Sequence, residues 1–200
     1  MPSRNPALQR FLDAAHDAFA AHAVDDISRQ SIADCFNALQ VVEPQPDRPG
    51  GRLPVCDQWL DVAVRPDALP PALRSLAKAF LALEPDLRWQ RRNGPIPKAS
   101  ADFEDGHANA VMVGPGGMEP RRDVWLGASL VAPGVRYPAH DHPPEETYLV
   151  LTPGEFSQDN GPWFSPGVGG SFHNVPGILH AMRAGSEPLF AFWLLRAGDT

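Results

Sequence analysis

The sequence predicts a mainly β protein with a helical N-terminal region, and three observations lead to that prediction. Apolar residues recur at helical spacing up to about residue 90. After about Trp89, short strand-like runs alternate with glycine and proline. The 200 residues include 23 prolines and 17 glycines, so turns must be frequent, and 43% are hydrophobic, which suffices for a core. We therefore predict a helical extension over residues 1–90, packed on a β-barrel over residues 91–200 in one compact unit.

Three helices are predicted in the N-terminal region. The first has an apolar stripe formed by Leu8, Phe11, Leu12, Ala15 and Phe19. The second stripe, formed by Ile32, Cys35, Phe36 and Leu39, follows a candidate N-cap at Asp25 or Asp26. The third helix should start at Pro70 or Pro71, because proline is tolerated in a first turn, and end at Pro85. The proline-rich and glycine-rich residues 43–53 between the second and third helices are predicted to form a loop.

Five strands are predicted in the C-terminal half, where runs of apolar and β-branched residues are bounded by turn residues. They cover residues 110–113, 124–131, 147–152, 170–175 and 189–195. Short strands with frequent turns are typical of an all-β sandwich or barrel.

The charge of the chain argues against some classes of function. The formal net charge of −7 does not suit a nucleic-acid-binding surface, and the basic pairs 91–92 and 121–122 are expected to be solvated. No apolar run suits a signal peptide or a membrane span, so we expect a cytoplasmic protein without a membrane partner. Cys35 and Cys56 form no metal-binding or disulfide pattern and are expected to be reduced thiols.

Polar residues with metal-binding chemistry cluster in the segment 134–148, which contains His140-x-His142-x3-Glu146-x-Tyr148. Because side chains alternate along a strand, Glu146 and Tyr148 should share a face, as should His140 and His142 if their segment is extended. Polar side chains that point into a small barrel need partners, and a metal ion would provide one.

A second segment, residues 170–180, ends in His180 after a turn punctuated by glycine and proline. Two imidazoles and a carboxylate that leave coordination positions open are suited to a catalytic divalent metal. Zn²⁺, Fe²⁺ and Mn²⁺ are all compatible with such a set.

These two segments resemble the two cupin motifs. Segment 134–146 reads Gly-x5-His-x-His-x3-Glu, and its closing glycine, Gly154, comes one residue later than in the family pattern. Segment 170–180 reads Gly-x5-Pro followed by histidine, with one residue fewer between proline and histidine, and Ala184 stands where asparagine is usual. The resemblance implies a cupin-type β-barrel, a double-stranded β-helix, over roughly the last hundred residues.

A narrower resemblance depends on the only two tyrosines, Tyr137 and Tyr148, which flank the histidines. With the later His180 and the helical N-terminal region, this pattern is similar to the cupin-type dimethylsulfoniopropionate (DMSP) lyases, which cleave DMSP to acrylate and dimethyl sulfide. The resemblance implies three sets of roles: metal ligation by His142, Glu146 and His180, a metal-associated phenolate base at Tyr148, and a substrate pocket lined by Tyr137 and His140.

Two further expectations concern the substrate. Its sulfonium is a cation that aromatic faces attract, and the candidates in the β region are Trp125, Trp163, Trp193 and Phe172. Glycine- and proline-rich stretches at residues 93–97 and 114–120 are candidate lids over the pocket.

Several alternatives stay open from the sequence. His140 is itself a ligand in many cupins, although we favour a pocket role for it. The same metal set would serve an iron-dependent cupin oxygenase, and a non-enzymatic cupin that binds a small molecule is a third possibility. We expect a monomer or a homodimer.

Overall fold

The computed structural model describes residues 3–94 and 98–198. Four α-helices come first: α1 (Pro6–His22), α2 (Asp26–Ala38), α3 (Pro54–Ala63) and α4 (Pro71–Leu83). The strands are β1 (Trp89–Gln90), β2 (His107–Val113), β3 (Val124–Val131), β4 (Arg136–His140), β5 (Glu145–Val150), β6 (Glu155–Gln158), β7 (Ser171–Asn174), β8 (His180–Arg183) and β9 (Leu189–Arg196). The prediction of a mainly β protein with a helical N-terminal region is confirmed.

The helices form largely where the apolar stripes predict them. Asp25 is the N-cap of α2, and its carboxylate accepts a hydrogen bond from the backbone N–H of Ser28 at 2.7 Å. Helix α4 begins at Pro71, as its sequence suggests. Helix α3 was not predicted, although Pro54 occupies its first turn and its buried residues recur at helical spacing. With only ten residues, α3 presents too short a stripe to stand out.

The strands form two antiparallel sheets. The larger has the order β1-β2-β3-β9-β5-β7, and the smaller has the order β4-β8-β6. All five predicted strands form, with ends shifted by up to three residues. The unpredicted strands β1, β4, β6 and β8 contain only two to five residues each, too few for a clear alternation of apolar and polar positions.

Helices and sheet share one hydrophobic core. Phe80 of α4 packs against Phe190 and Phe192 of β9 with ring centroids 5.2 and 5.3 Å apart, and Phe11 of α1 lies 5.7 Å from Phe192. The helical layer therefore covers the outer face of the larger sheet. The sheet itself begins at Trp89, and the division of the chain into two parts at residue 90 stays a prediction.

The two cysteines and Arg121 are buried groups that lie outside the sheets. Both cysteines are free and buried, and burial raises the pKa of the Cys35 thiol to about 12. The expectation of a solvated pair at 121–122 was wrong for Arg121, whose side chain is only 4% exposed and pairs with Glu119 and Asp123.

Among the described residues, no helix is long and apolar enough to cross a membrane.

Candidate active site

A cavity of about 310 Å³ lies between the two sheets. Side chains from β2, β3, β5 and β9 of the larger sheet form one wall, and side chains from β4 and β8 of the smaller sheet form the other. Tyr137, His140, His142, Glu146 and Tyr148 all line this cavity. The structure thus brings together the residues that the first sequence segment singled out.

An irregularity in β4 gives the smaller sheet two polar side chains on one face. Tyr137 pairs with Met182 and His140 pairs with His180, and the register between β4 and β8 shifts between these two pairs. In a regular strand, residues three positions apart point to opposite faces. The shift lies between Tyr137 and His140, a segment in which Pro138 has no N–H for the ladder, and it allows both Tyr137 and His140 to face the cavity.

Three imidazoles converge beside the cavity, where His140 and His142 line it and His180 lies next to them outside its lining. One ring nitrogen from each of His140, His142 and His180 lies within 4.8 Å of the others. Their rings are fixed in the same way, because the Nδ1 atom of each hydrogen-bonds a backbone carbonyl two residues away, at 2.8 to 3.0 Å. Each Nδ1 therefore carries the proton, which leaves Nε2 with its lone pair free to bind a cation.

Glu146 completes the group. Its Oε2 atom lies 3.4 Å from Nε2 of His142 and 3.2 Å from Nε2 of His180. Both Nε2 atoms are buried and have no hydrogen-bond partner among the described residues. Two unpartnered imidazole nitrogens facing one carboxylate oxygen fit a divalent transition metal.

Glu146 and the neighbouring imidazoles shift one another's pKa values. Burial alone would raise the pKa of Glu146, but the imidazoles of His142 and His180 outweigh it and hold the pKa well below its usual range. Conversely, Glu146 raises the pKa of His142 despite burial. Burial and the neighbouring His180 lower the pKa of His140 to about 3, so His140 is neutral near pH 7.

Asn174 and Gln158 hold the Glu146 carboxylate in position, although the sequence did not identify either residue. Asn174 lies opposite Glu146 in the β5–β7 pair, and its Nδ2 donates a hydrogen bond to Oε2 of Glu146 at 2.9 Å. Gln158 in turn donates to Oδ1 of Asn174 at 2.7 Å. Such supporting bonds orient metal ligands in many sites.

Tyr148 lies two residues beyond Glu146 on the same face of β5. Its ring is buried, stacks on Phe172 with centroids 5.1 Å apart, and lies 6.2 Å from the His180 ring. Burial and the Glu146 carboxylate raise the pKa of Tyr148 well above its ordinary value, while the Arg92 guanidinium acts in the opposite direction. A nearby cation is therefore needed for Tyr148 to work as a base.

The aromatic candidates separate into two groups. Trp125 and Trp193 line the cavity. Trp163 lies outside it, with the guanidinium groups of Arg136 and Arg183 at 5.0 and 4.3 Å from its ring. Phe172 is not among the lining residues and packs behind Tyr148.

The candidate lids and the basic pair at 91–92 differ in whether their residues line the cavity. Asn93 lines the cavity, whereas residues 114–120 do not; residues 95–97 lie outside the described residues. Arg92, expected to be solvated, is half-buried and lines the cavity. Its backbone N–H donates a hydrogen bond to Nε2 of the buried His107 at 2.8 Å. This contact joins residues 15 positions apart, so no local sequence signal could have identified it.

Comparisons with known proteins relate this chain to one enzyme family. The family profile described as dimethylsulfoniopropionate lyase matches residues 27–191. The DMSP lyase DddQ of Ruegeria pomeroyi is 30% identical over 201 residues, which cover 100% of this chain and 93% of that protein.

Solved structures extend the similarity to the fold. The crystal structure of DddQ from Ruegeria pomeroyi DSS-3 matches with a TM-score of 0.71 and 27% identity, covering 98% of this chain and 93% of that one. A chain from the crystal structures of the DMSP lyases RdDddP and RnDddQII matches with a TM-score of 0.69 and 24% identity, covering 95% and 92%. The chain therefore belongs to the dimethylsulfoniopropionate lyase family and is a lyase with the cupin fold.

Proposed function

We propose that this protein cleaves DMSP to acrylate and dimethyl sulfide by β-elimination in the cavity between the sheets. The observation that carries the proposal is the arrangement along β5, where Glu146 and Tyr148 face the same cavity as His140 and His142, whose ring nitrogens converge with that of His180. A candidate base thus lies beside a candidate metal site, in a space of about 310 Å³ that suits a small substrate.

His142, Glu146 and His180 would hold one divalent transition metal: Zn²⁺, Fe²⁺ or Mn²⁺. His140 belongs to the same group of nitrogen atoms, and this supports a fourth ligand at His140 over the pocket role that we favoured from the sequence. When bound, the metal would hold the substrate carboxylate and supply positive charge that favours the phenolate and the developing carbanion.

Tyr148 would act as the base. Its phenolate removes a proton from the carbon next to the substrate carboxylate, the electron pair of that bond forms the double bond of acrylate, and the carbon–sulfur bond breaks. The sulfur keeps the bonding electrons and leaves as neutral dimethyl sulfide. General-base catalysis of this kind contributes roughly 10²- to 10⁴-fold.

Besides Glu146, the cavity wall carries one positive and one negative side chain, Arg92 and Asp141, and the cation would orient the substrate. Arg92 is the one Arg or Lys side chain among the described lining residues, and it would attract the carboxylate and repel the sulfonium. The faces of Trp125 and Trp193 would take the sulfonium, which aromatic rings attract.

The proposal is tested by headspace gas chromatography of dimethyl sulfide from metal-reconstituted protein given DMSP. Wild type should release the gas, Tyr148→Phe should be nearly silent, and both should melt at similar temperatures and bind equal metal. Release by both proteins would keep the lyase and remove Tyr148 as the base. No release from metal-loaded wild type would contradict the proposed substrate and favour the oxygenase, which oxygen consumption with Fe²⁺ would reveal.

A further inference from the structure

A chain of hydrogen bonds crosses the larger sheet and ends on the Tyr137 hydroxyl. The indole Nε1 of Trp193 donates to the Ser129 hydroxyl at 3.1 Å, and that hydroxyl donates to Oδ1 of Asn109 at 2.6 Å. Asn109 then donates from Nδ2 to the Tyr137 hydroxyl oxygen at 3.0 Å. The four residues come from β9, β3, β2 and β4, and all of them line the cavity.

The direction of this chain follows from donor chemistry. An indole N–H can only donate, so the Ser129 oxygen accepts and the Ser129 hydrogen goes to the next partner. Asn109 must therefore present its carbonyl oxygen to Ser129, which turns its amide NH₂ toward Tyr137. Among the described residues, the Tyr137 hydroxyl accepts from Asn109 and donates to none.

Gly127 leaves room for the indole of Trp193, which is the first donor in the chain of hydrogen bonds. It pairs with Trp193 across the β3–β9 ladder, and a Cβ atom at this position would lie 2.1 Å from two atoms of the Trp193 ring. The indole therefore occupies space over a position that only glycine leaves open. This contact holds Nε1 toward Ser129, so the orientation of the whole chain is set by packing as well as by hydrogen bonds.

We propose that Asn109, Ser129 and Trp193 are positioning residues that make Tyr137 a dedicated hydrogen-bond donor to the substrate carboxylate. Because Asn109 occupies the acceptor side of the phenol, the hydroxyl hydrogen of Tyr137 is directed to an acceptor in the cavity. Tyr137 is thereby a neutral anchor for a carboxylate, while Tyr148, whose oxygen accepts no hydrogen bond from the described residues, is left for proton removal. The choice of the carboxylate as the acceptor rests on the proposed function; the direction of the chain does not.

The direction of the hydrogen-bond chain can be measured without an assay of enzymatic activity. With two tyrosines in the chain, Tyr148→Phe leaves Tyr137 as the single one. The tyrosine Fermi doublet in its ultraviolet resonance Raman spectrum distinguishes a hydroxyl that accepts a hydrogen bond from one that donates. The Tyr148→Phe protein should give the acceptor signature without ligand. Adding Asn109→Asp should convert it to the donor signature, because a carboxylate accepts from Tyr137 and cannot donate. An unchanged doublet in the double variant would overturn the proposed direction.

The carboxylate role is tested by calorimetric titration of metal-loaded protein with acrylate. Ser129→Ala, which changes no charge, removes the bond that orients Asn109, and we expect acrylate to bind roughly 10-fold more weakly. The matched control is Ser157→Ala, which removes a buried strand hydroxyl that bonds the carbonyl of Gly161, outside the cavity.

The outcomes of the two tests separate the proposals. Equal acrylate affinity in Ser129→Ala and Ser157→Ala, with unchanged melting temperatures and metal content, would overturn the anchoring role of Tyr137. Weakened acrylate binding together with absent dimethyl sulfide release in wild type would keep the carboxylate anchor and reject DMSP as the substrate.

Discussion

Asn174 donates a hydrogen bond to Oε2 of Glu146, the carboxylate oxygen that also lies nearest to His142 and His180. The bond spans two neighbouring strands and involves a fully buried amide. It fixes one lone pair of the oxygen and thereby directs another toward the imidazoles. The precision of the candidate metal site therefore depends on a residue that would not itself bind the metal.

Replacing Asn174 with alanine should weaken metal binding. Loss of such a supporting bond typically reduces metal affinity by about 10- to 100-fold, and we expect this range here. Competition with a chromophoric chelator measures the affinity. Asn37→Ala, on the exposed surface of α2, is the matched control and should bind metal like the wild type. Equal affinity for the two variants would show that Glu146 is oriented without Asn174.

Trp125→Leu should raise the KM for DMSP by roughly 2- to 30-fold, the value of one contact between a cation and an aromatic face. Acrylate carries no sulfonium, so its dissociation constant should stay the same. Comparison of DMSP kinetics with acrylate titration checks both expectations. If acrylate binding weakens equally, Trp125 shapes the pocket as a whole and does not select the cationic end of the substrate.

Lowering the pH should destabilise the folded protein, because the buried imidazole of His107 takes up a proton less readily than it does in the unfolded chain. Burial lowers the pKa of this imidazole, whose Nε2 accepts from Arg92 while Nδ1 hydrogen-bonds the carbonyl of Phe103. The unfolded chain takes up a proton near pH 6.5, whereas the folded site does so only at lower pH. The stability from this group is therefore complete above about pH 6.5 and is lost as the pH falls toward the folded pKa.

The measurement is urea unfolding of metal-free protein from pH 7.5 to 5 in wild type and His107→Gln. The variant should lose less stability than the wild type over this range. Part of the slope should remain, because the pKa of His140 is lowered as well. Parallel pH profiles for the two proteins would mean that His107 does not contribute to the acid sensitivity.

Phe192→Ala should destabilise the protein by about 3–5 kcal/mol, as is usual for a large aromatic side chain removed from a core. Phe192 is fully buried and contacts Phe11, Phe80 and Phe190. Urea unfolding measures the loss, and Phe164→Ala, at a half-buried position, should cost much less. A small effect at Phe192 would mean that the helical layer relaxes to fill the space.

The sequence was most informative where the relevant spacing is short. His142, Glu146 and Tyr148 lie within seven residues, so the alternation of a single strand suffices to predict that Glu146 and Tyr148 share a face. Their proximity to His180, some thirty residues later, became predictable only through the resemblance to a two-part motif.

The residues that the sequence did not reveal depend on how the strands pair. Asn174 reaches Glu146, and Ser129 reaches Asn109, only because of the register between neighbouring strands. Periodicity within one strand carries no information about that register. Similarly, the irregularity between Tyr137 and His140 changes which residues of β4 face the cavity, and a strand of five residues gives no pattern from which to predict it.

Strand β9 belongs to both layers of the molecule at once. Phe190 and Phe192 enter the core beneath the helices, while Trp193 and Leu195 line the cavity. Even and odd positions of this strand therefore affect different properties of the protein. Directed evolution for thermal tolerance should select substitutions at even positions such as 190 and 192, whereas altered substrate preference should come from odd positions such as 193 and 195.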